Sequence, residues 1–374
     1  MGFDSINSEQ KVRIPLSYHA EMVINEDMRI FFIKKRATMI NTINDNNRED
    51  AKASISKQLA QKRHEYEEML ADSGIAQEIQ KQLVNHMLAK EQKILETEVN
   101  QFKIEKWSQQ LYHINQSNFD YLKDECNDEA FYKDRVGLYL KCLIEEYATL
   151  PFVRREKIIK QDIYNEINNA ILNNKELEIE THVFNEKKVF YVSPYKIVYD
   201  PFHSQAYLAC YSREKNQPKK EKKIASFSIA KLIPMKKSPI TNYLTKEEKS
   251  KLAQIKTLSS NASLTKENKK MLEEAISKRT APYLLGEDIK ISVRLTENGK
   301  RKYQTRLYTR PQKIEENPSE TVASDEYHFQ CTELQAYQYF FPFGADAEII
   351  SPSSLRNLMI QNYQKALQKY EQTE

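Results

Sequence analysis

The sequence predicts a multidomain protein of mixed α and β structure: a helical N-terminal region entered through one strand, a small β-barrel in the middle, and an α+β C-terminal domain. Three observations carry this expectation. From Arg48 to about Tyr147 apolar residues recur three, four or seven apart, as in Ile75, Ile79, Leu83 and Met87, which is a helical period. From Val189 to Met235 short runs of β-branched and aromatic residues are broken at Pro201, at Pro218 and by a lysine-rich tongue, Arg213 to Lys223, as in a small barrel. Beyond Ile289, alternating and helical runs mix. The 374 residues suit two or three domains at roughly 150 residues each. The expected boundaries are 1–48 (strand and two helices), 49–175 (helical), 176–238 (barrel), 239–280 (helical connector) and 281–374 (α+β).

Composition narrows the chemistry. Only 6 glycines are present, and neither G-x-x-x-x-G-K-[ST] nor G-x-S-x-G occurs, which argues against a phosphate loop or a hydrolase elbow. The 7 histidines are scattered without ligand spacing, so neither metal nor cofactor is expected, and the chain reads as a binder rather than an enzyme. His203 reads as structural or solvated, and Trp107 as a core anchor. Four separated cysteines without a C-x-x-C pair fit free thiols in a reducing cytosol. With no signal peptide and no apolar run near the roughly 18 residues of a membrane span, a cytoplasmic protein without a membrane partner is expected. The 57 Lys and Arg against 53 Asp and Glu leave only +4, so nucleic-acid binding has to rest on local clusters.

In chain order, Lys11 to Ser17 alternates as a strand, and Pro15 assigns it to an edge or to a ribbon made with another copy. A helix from about Tyr18 to Ile30, the turn Lys34-Lys35-Arg36 and a second helix from near Thr38 follow. The order resembles the ribbon-helix-helix module, although the usual inter-helix glycine is missing. That likeness implies nucleic-acid contacts at Lys11, Arg13, Lys34, Lys35 and Arg36 and a homodimer, since a ribbon needs two strands. Arg13 and His19 form one R-x5-H, similar to the pair of metal-independent ribonucleases, but it occurs once, in a strand, and reads as chance.

Gly74 separates two long helices, and RREKIIKQDIYNEINNAILNN is amphipathic. Strands are expected at Leu177 to Phe184, Lys188 to Val192, Lys196 to Tyr199, Gln205 to Tyr211 and Ile224 to Ile233, with a turn at Pro194-Tyr195. Lysines 196, 219, 220, 222, 223 and 231 with Arg213 would contact phosphate, and Tyr195 and Tyr207 would stack on unpaired bases. Polar helices fill Ser238 to Lys278. Ile289 to Leu295 and Tyr303 to Tyr308 read as a hairpin turning at Glu297-Asn298-Gly299, with Lys300, Arg301, Lys302, Arg306 and Arg310 crowded on it. A strand, a helix, a strand and a helix complete the chain.

The middle region resembles the WYL domain, a barrel of the Sm or SH3 type. Val192-Ser193-Pro194 matches its V-x-P element, Ala206-Tyr207-Leu208 stands at its name triplet, and Phe227 to Leu232 stands at its F-R-x-x-R-I element. Ala206 replaces the tryptophan, and Ser228 and Lys231 replace both arginines. Phe343-Gly344, the run Ala347 to Pro352 and Leu355-Arg356 are similar to the extension that follows WYL domains. With its N-terminal module, the chain resembles the WYL accessory proteins of type VI-D CRISPR systems. That resemblance implies a dimer that binds single-stranded RNA and stimulates the effector ribonuclease; the alternative is a WYL transcriptional regulator that reads duplex DNA and senses a ligand through its barrel.

Overall fold

The computed structural model describes residues 10–49, 51, 54–101, 108–128, 132, 135–183, 186–200, 204–217, 221–236, 243–284, 286, 288–314 and 325–371. Trp107, Pro201, His203, Pro218, Lys219 and Lys220 lie outside the described residues. The architecture is mixed α and β, and the chain divides into two compact units, Met1–Tyr164 with Ile233–Leu252, and Asn165–Leu232 with Ala253–Glu374.

The first unit runs β1 (Lys11–Leu16), α1 (Tyr18–Ile30), α2 (Arg36–Asn47), α3 (Ile55–Ala71), α4 (Gln77–Gln101), β2 (Ser108–His113), α5 (Gln116–Asp128), α6 (Val136–Thr149) and α7 (Phe152–Ile159). The two predicted N-terminal helices are present. The strand before them, however, pairs antiparallel with β2 of the same chain, Lys11 opposite His113 and Leu16 opposite Ser108. One edge of β1 is thus filled internally, which removes the reason for expecting a ribbon shared between two copies. The strand β2 was not expected, because SQQLYH carries no apolar alternation.

Helix α6 is buried at every position except Glu146 and Thr149, as expected of a helix that is apolar nearly all round. Its buried Glu145 accepts from the Ser17 backbone N–H at 2.7 Å and from the Ser17 hydroxyl at 2.6 Å, while Ser17 caps α1 by accepting from Ala20. Tyr147 donates to the fully buried Asp27 at 2.6 Å, and Arg155 joins the same carboxylate at 2.7 Å. These bonds fix α1 against α6 and α7. Gly74, at φ +69°, breaks α3 from α4 as predicted. His19 turns its Nε2 to the Ala148 carbonyl at 3.2 Å and takes no part in a pair with Arg13. The returning segment packs Ile233, Leu244 and Leu252 against Phe32.

The chain passes along α8 (Gln161–Leu172) into β3 (Lys175–Val183), β4 (Glu186–Asp200), β5 (Gln205–Glu214), β6 (Lys223–Ser228) and β7 (Leu232–Pro234), followed by α9 (Lys246–Ser250), β8 (Ala253–Asn261) and α10 (Lys266–Arg279). The sheet order is β6-β5-β4-β3-β8-β7. Its outermost strands, β6 and β7, are joined by a 3-10 turn of only three residues, Ile229–Lys231, so the sheet must coil strongly. No ladder pairs β6 with β7 among the described residues, and the expected closed barrel is corrected to an open sheet. Two further corrections concern its strands. β4 is one strand with a bulge between Pro194 and Lys196 instead of a turn, and β8 arises in a segment expected to be all helix, where it pairs with β3.

The C-terminal domain contains β9 (Ile289–Leu295), α11 (Glu297–Thr305), β10 (Gln312–Lys313), β11 (Glu326–Cys331), α12 (Glu333–Phe340), β12 (Ala347–Ser351) and α13 (Ser353–Glu371), with strand order β10-β11-β9-β12. The expected hairpin is absent. Thr296 instead caps a helix by accepting from the Gly299 N–H at 3.0 Å, and a Cβ at Gly299 would lie 2.2 Å from the Asp346 carbonyl. The Glu-Asn-Gly sequence that resembles a turn is a helix start held tightly against a neighbour. Leu355 and Met359 of α13 join the buried core, while Leu367 and Tyr370 further along are exposed.

Candidate nucleic-acid interface

Register decides which side chains share a face of the large sheet. Leu177, Ile179, Val192, Leu208, Cys210, Ala225 and Ile255 are buried on one side, and Phe190 meets Phe227 edge-on there at 5.9 Å. Phe227, half-buried, turns to that side. The opposite side carries Glu178, Tyr191 and Arg213 in one cross-strand row, with Lys256 of β8 paired to Glu178 at its end. Arg213 lies 5.9 Å and Lys215 5.4 Å from the Tyr191 ring centre, so two cations approach one half-buried aromatic.

Glu178 accepts from Lys256 at 2.7 Å and from Lys215 at 3.2 Å. Those bonds, Lys256 first, hold its carboxyl below the usual carboxylate range against the opposing effect of desolvation. One carboxylate shared by two lysines leaves a positive charge uncompensated, and both ammonium groups remain about half exposed. The row thus combines an aromatic face with accessible cations, the two components needed to hold a single-stranded polyanion.

The residues singled out in the sequence fare unequally. Lys34 pairs with Glu248, Lys35 sits 3.8 Å over the Tyr243 ring, and Arg36 bonds Glu21 and Asn25, each at 2.6 Å. All three cations of that turn are engaged by the protein. On β1, Lys11 is half-buried and Arg13 exposed. Tyr195, expected to be open, is half-buried at the β4 bulge and donates to Glu273 at 2.5 Å, and Lys196 bonds both oxygens of the same carboxylate at 2.7 Å. Lys196 and then Tyr195 lower the Glu273 carboxyl, while Glu273 raises the Tyr195 phenol. Tyr207 lies across from Ser228 on the same side as Tyr191 and away from the Leu208 core. Lys222 bridges Glu176 and Ser193, each at 2.6 Å. Lys223 and Lys231 are exposed. Among the predicted residues that are described, only Arg213 reaches the Tyr191 row. Tyr191 was legible as the outward partner of Val192 in an alternating strand, whereas Lys256 was not, because its segment reads as a helix.

Among the described residues no group of three His, Cys, Asp or Glu is placed to hold a metal, and no helix is long and apolar enough to cross a membrane. The WCX domain family model matches residues 287–367, a span that includes Phe343-Gly344, Ala347 to Pro352 and Leu355-Arg356, where the sequence resembles the extension following WYL domains, and begins well before the resemblance expected from Tyr327 onward. A solved structure described as a CRISPR Cas-related protein aligns over 97% of this chain and 94% of its own, with 21% identity and a TM-score of 0.62, which establishes a shared fold. The proteasome accessory factor B/C of Arthrobacter aurescens aligns over 99% of this chain and 51% of its own, at 12% identity and a TM-score of 0.29. No curated protein matches.

Proposed function

We propose that this protein binds single-stranded RNA on the outer face of the β3–β8 sheet and serves, in the cytoplasm and without catalysis of its own, as an accessory that stimulates an RNA-guided CRISPR ribonuclease of type VI-D. The observation that carries the binding half is the Tyr191 ring with Arg213 and Lys215 within 6 Å of its centre, beside a glutamate shared by two lysines. Stacking tolerates any base, and the ammonium groups supply salt-sensitive phosphate contacts. The CRISPR half draws on the whole-chain fold likeness to a Cas-related protein. A second copy belongs to the same reading, but with β2 on one edge of β1 it need not be joined by a shared ribbon; sedimentation equilibrium tests it.

The deciding experiment is a competition between fluorescent single-stranded RNA and duplex DNA at rising salt, paired with an effector cleavage assay with and without this protein. The reading requires RNA to win, with affinity falling steeply with salt, and cleavage to rise when the protein is added. A win for palindromic duplex DNA at moderate salt would instead favour a transcriptional regulator.

A further inference from the structure

A cleft of about 620 Å³ opens on the same sheet face, where Ser193 of β4, Tyr211 of β5 and Lys222 meet Asn261 at the end of β8 and Asn268 and Met271 of α10. Its size falls within the roughly 300–1,000 Å³ of small-molecule sites. Ser193 and Tyr211 are two positions along their strands from Tyr191 and Arg213, so the cleft continues the row described above.

Its floor is a fixed polar chain. Ser260 donates to one oxygen of Glu176 at 2.8 Å, Lys222 donates to the other at 2.6 Å, and Lys222 also donates to Ser193 at 2.6 Å. An ammonium has three N–H groups, and these bonds use two. The Asn261 side-chain oxygen is occupied by the Ser263 N–H at 3.0 Å, which leaves its NH2 as donor. Asn268 gives its backbone N–H to the Thr265 hydroxyl and its carbonyl to the Tyr211 hydroxyl, while its side-chain amide makes no hydrogen bond with the described residues. That amide offers an adjacent donor and acceptor, the pattern that pairs with the edge of a nucleobase. Met271, about half exposed, supplies an apolar wall. One carboxylate, Glu221, also lines the cleft.

We infer that the cleft receives one nucleotide of a bound single strand, with Lys222 toward its phosphate, Asn268 and Asn261 on its base edge and Met271 against its face. This deepens the RNA-binding reading and rests on it for its biological meaning. The Tyr191 row then supplies base-tolerant grip, and the cleft supplies discrimination among bases.

The test uses the full chain in two arms. In the first, methyl-labelled protein is titrated with AMP, GMP, CMP and UMP. The Met271 methyl signal should move with at least one nucleotide, and Lys222→Gln should weaken that binding by about tenfold or more, as for loss of a charge-assisted hydrogen bond. In the second, homopolymer RNAs are ranked by affinity. Asn268→Ala, which leaves the Glu176–Lys222 chain intact, should flatten the ranking, whereas Tyr191→Ala should weaken all homopolymers alike. A Met271 signal indifferent to every mononucleotide at millimolar concentration, or an unchanged ranking in Asn268→Ala, overturns the cleft assignment. Absence of any homopolymer binding by the wild-type chain overturns the RNA reading instead, and the mononucleotide arm still reports on the cleft by itself.

Discussion

The turn at residues 34–36 and the Tyr191 row each combine lysine, arginine and tyrosine, and their fates differ. In the turn at residues 34–36, Arg36 is only 24% exposed and faces Glu21 at 7%, Lys34 has Glu248, and Lys35 lies on Tyr243. Each cation there has its own protein partner, so the cluster clamps α2 to its surroundings. On the sheet, Lys215 and Lys256 share Glu178 and remain 47% and 43% exposed, while half-buried Tyr191 has Arg213 and Lys215 within 6 Å of its ring centre. The same residue types hold a fold together in one place and leave charge and a ring face available in the other. What separates them is the ratio of carboxylates to cations, since Lys34, at 46%, is as exposed as the sheet lysines.

This contrast can be broken most forcefully at Arg36. Arg36→Ala removes the guanidinium that pairs with the buried Glu21 carboxylate and bonds Asn25, and a loss of about 1.5–3 kcal/mol of stability in urea unfolding is expected. Loss of RNA affinity by the folded variant, with stability intact, would show that the turn is a binding site after all.

A second test in the first unit is Lys160. Lys160 is buried beside Glu156, and desolvation lowers its ammonium from the ordinary lysine value to about 8. Between about pH 8 and the ordinary lysine value near 10.5 the unfolded chain therefore holds a proton that the native state has lost, so stability should rise with pH, by at most about 1.4 kcal/mol per unit. Above about pH 10 the raised phenols of Tyr147 and Tyr164 pull the other way, because the native state keeps protons that the unfolded chain releases. The thiols of Cys210 and Cys331, raised by burial, likewise oppose the rise from about pH 9, so from about pH 7.5 to 10 the unfolding midpoint should climb more, or fall less, in the wild type than in Lys160→Met; equal slopes would refute the assignment.

On the sheet, Tyr191→Ala should cost about 1–3 kcal/mol of single-stranded RNA affinity, measured by fluorescence anisotropy, with little change in melting temperature. The smallest effect belongs to Lys215→Gln. Removing one phosphate contact should reduce the slope of log affinity against log salt by about 0.7, and an unchanged slope would place Lys215 outside the track.

The Lys34-Lys35-Arg36 run stood out in the sequence because contiguous charge is easy to see, yet two of its partners, Tyr243 and Glu248, lie at the far end of the first unit's sequence and return to it only in the fold. Tyr191, Lys215 and Lys256 are scattered along the chain and meet only through cross-strand register. Lys222, named as a phosphate contact, is instead joined to Glu176 and Ser193, with one N–H left over.

Local sequence by itself determined the helices α1, α10 and α12, whose caps at Ser17, Thr265 and Thr332 sit next to the helices they start, the Leu-Glu-Ile-Glu alternation of β3 and the continuous apolar run of β5. Those signals depend on residues a few positions apart. Only the tertiary structure decided that β2 completes the strand at Lys11, that β8 joins β3, that Gly299 starts a helix against Asp346, and that Tyr191 gathers its cations. Each of those outcomes is a pairing between distant segments, and hydrogen-bond register and close contact across such distances leave no period in the chain itself.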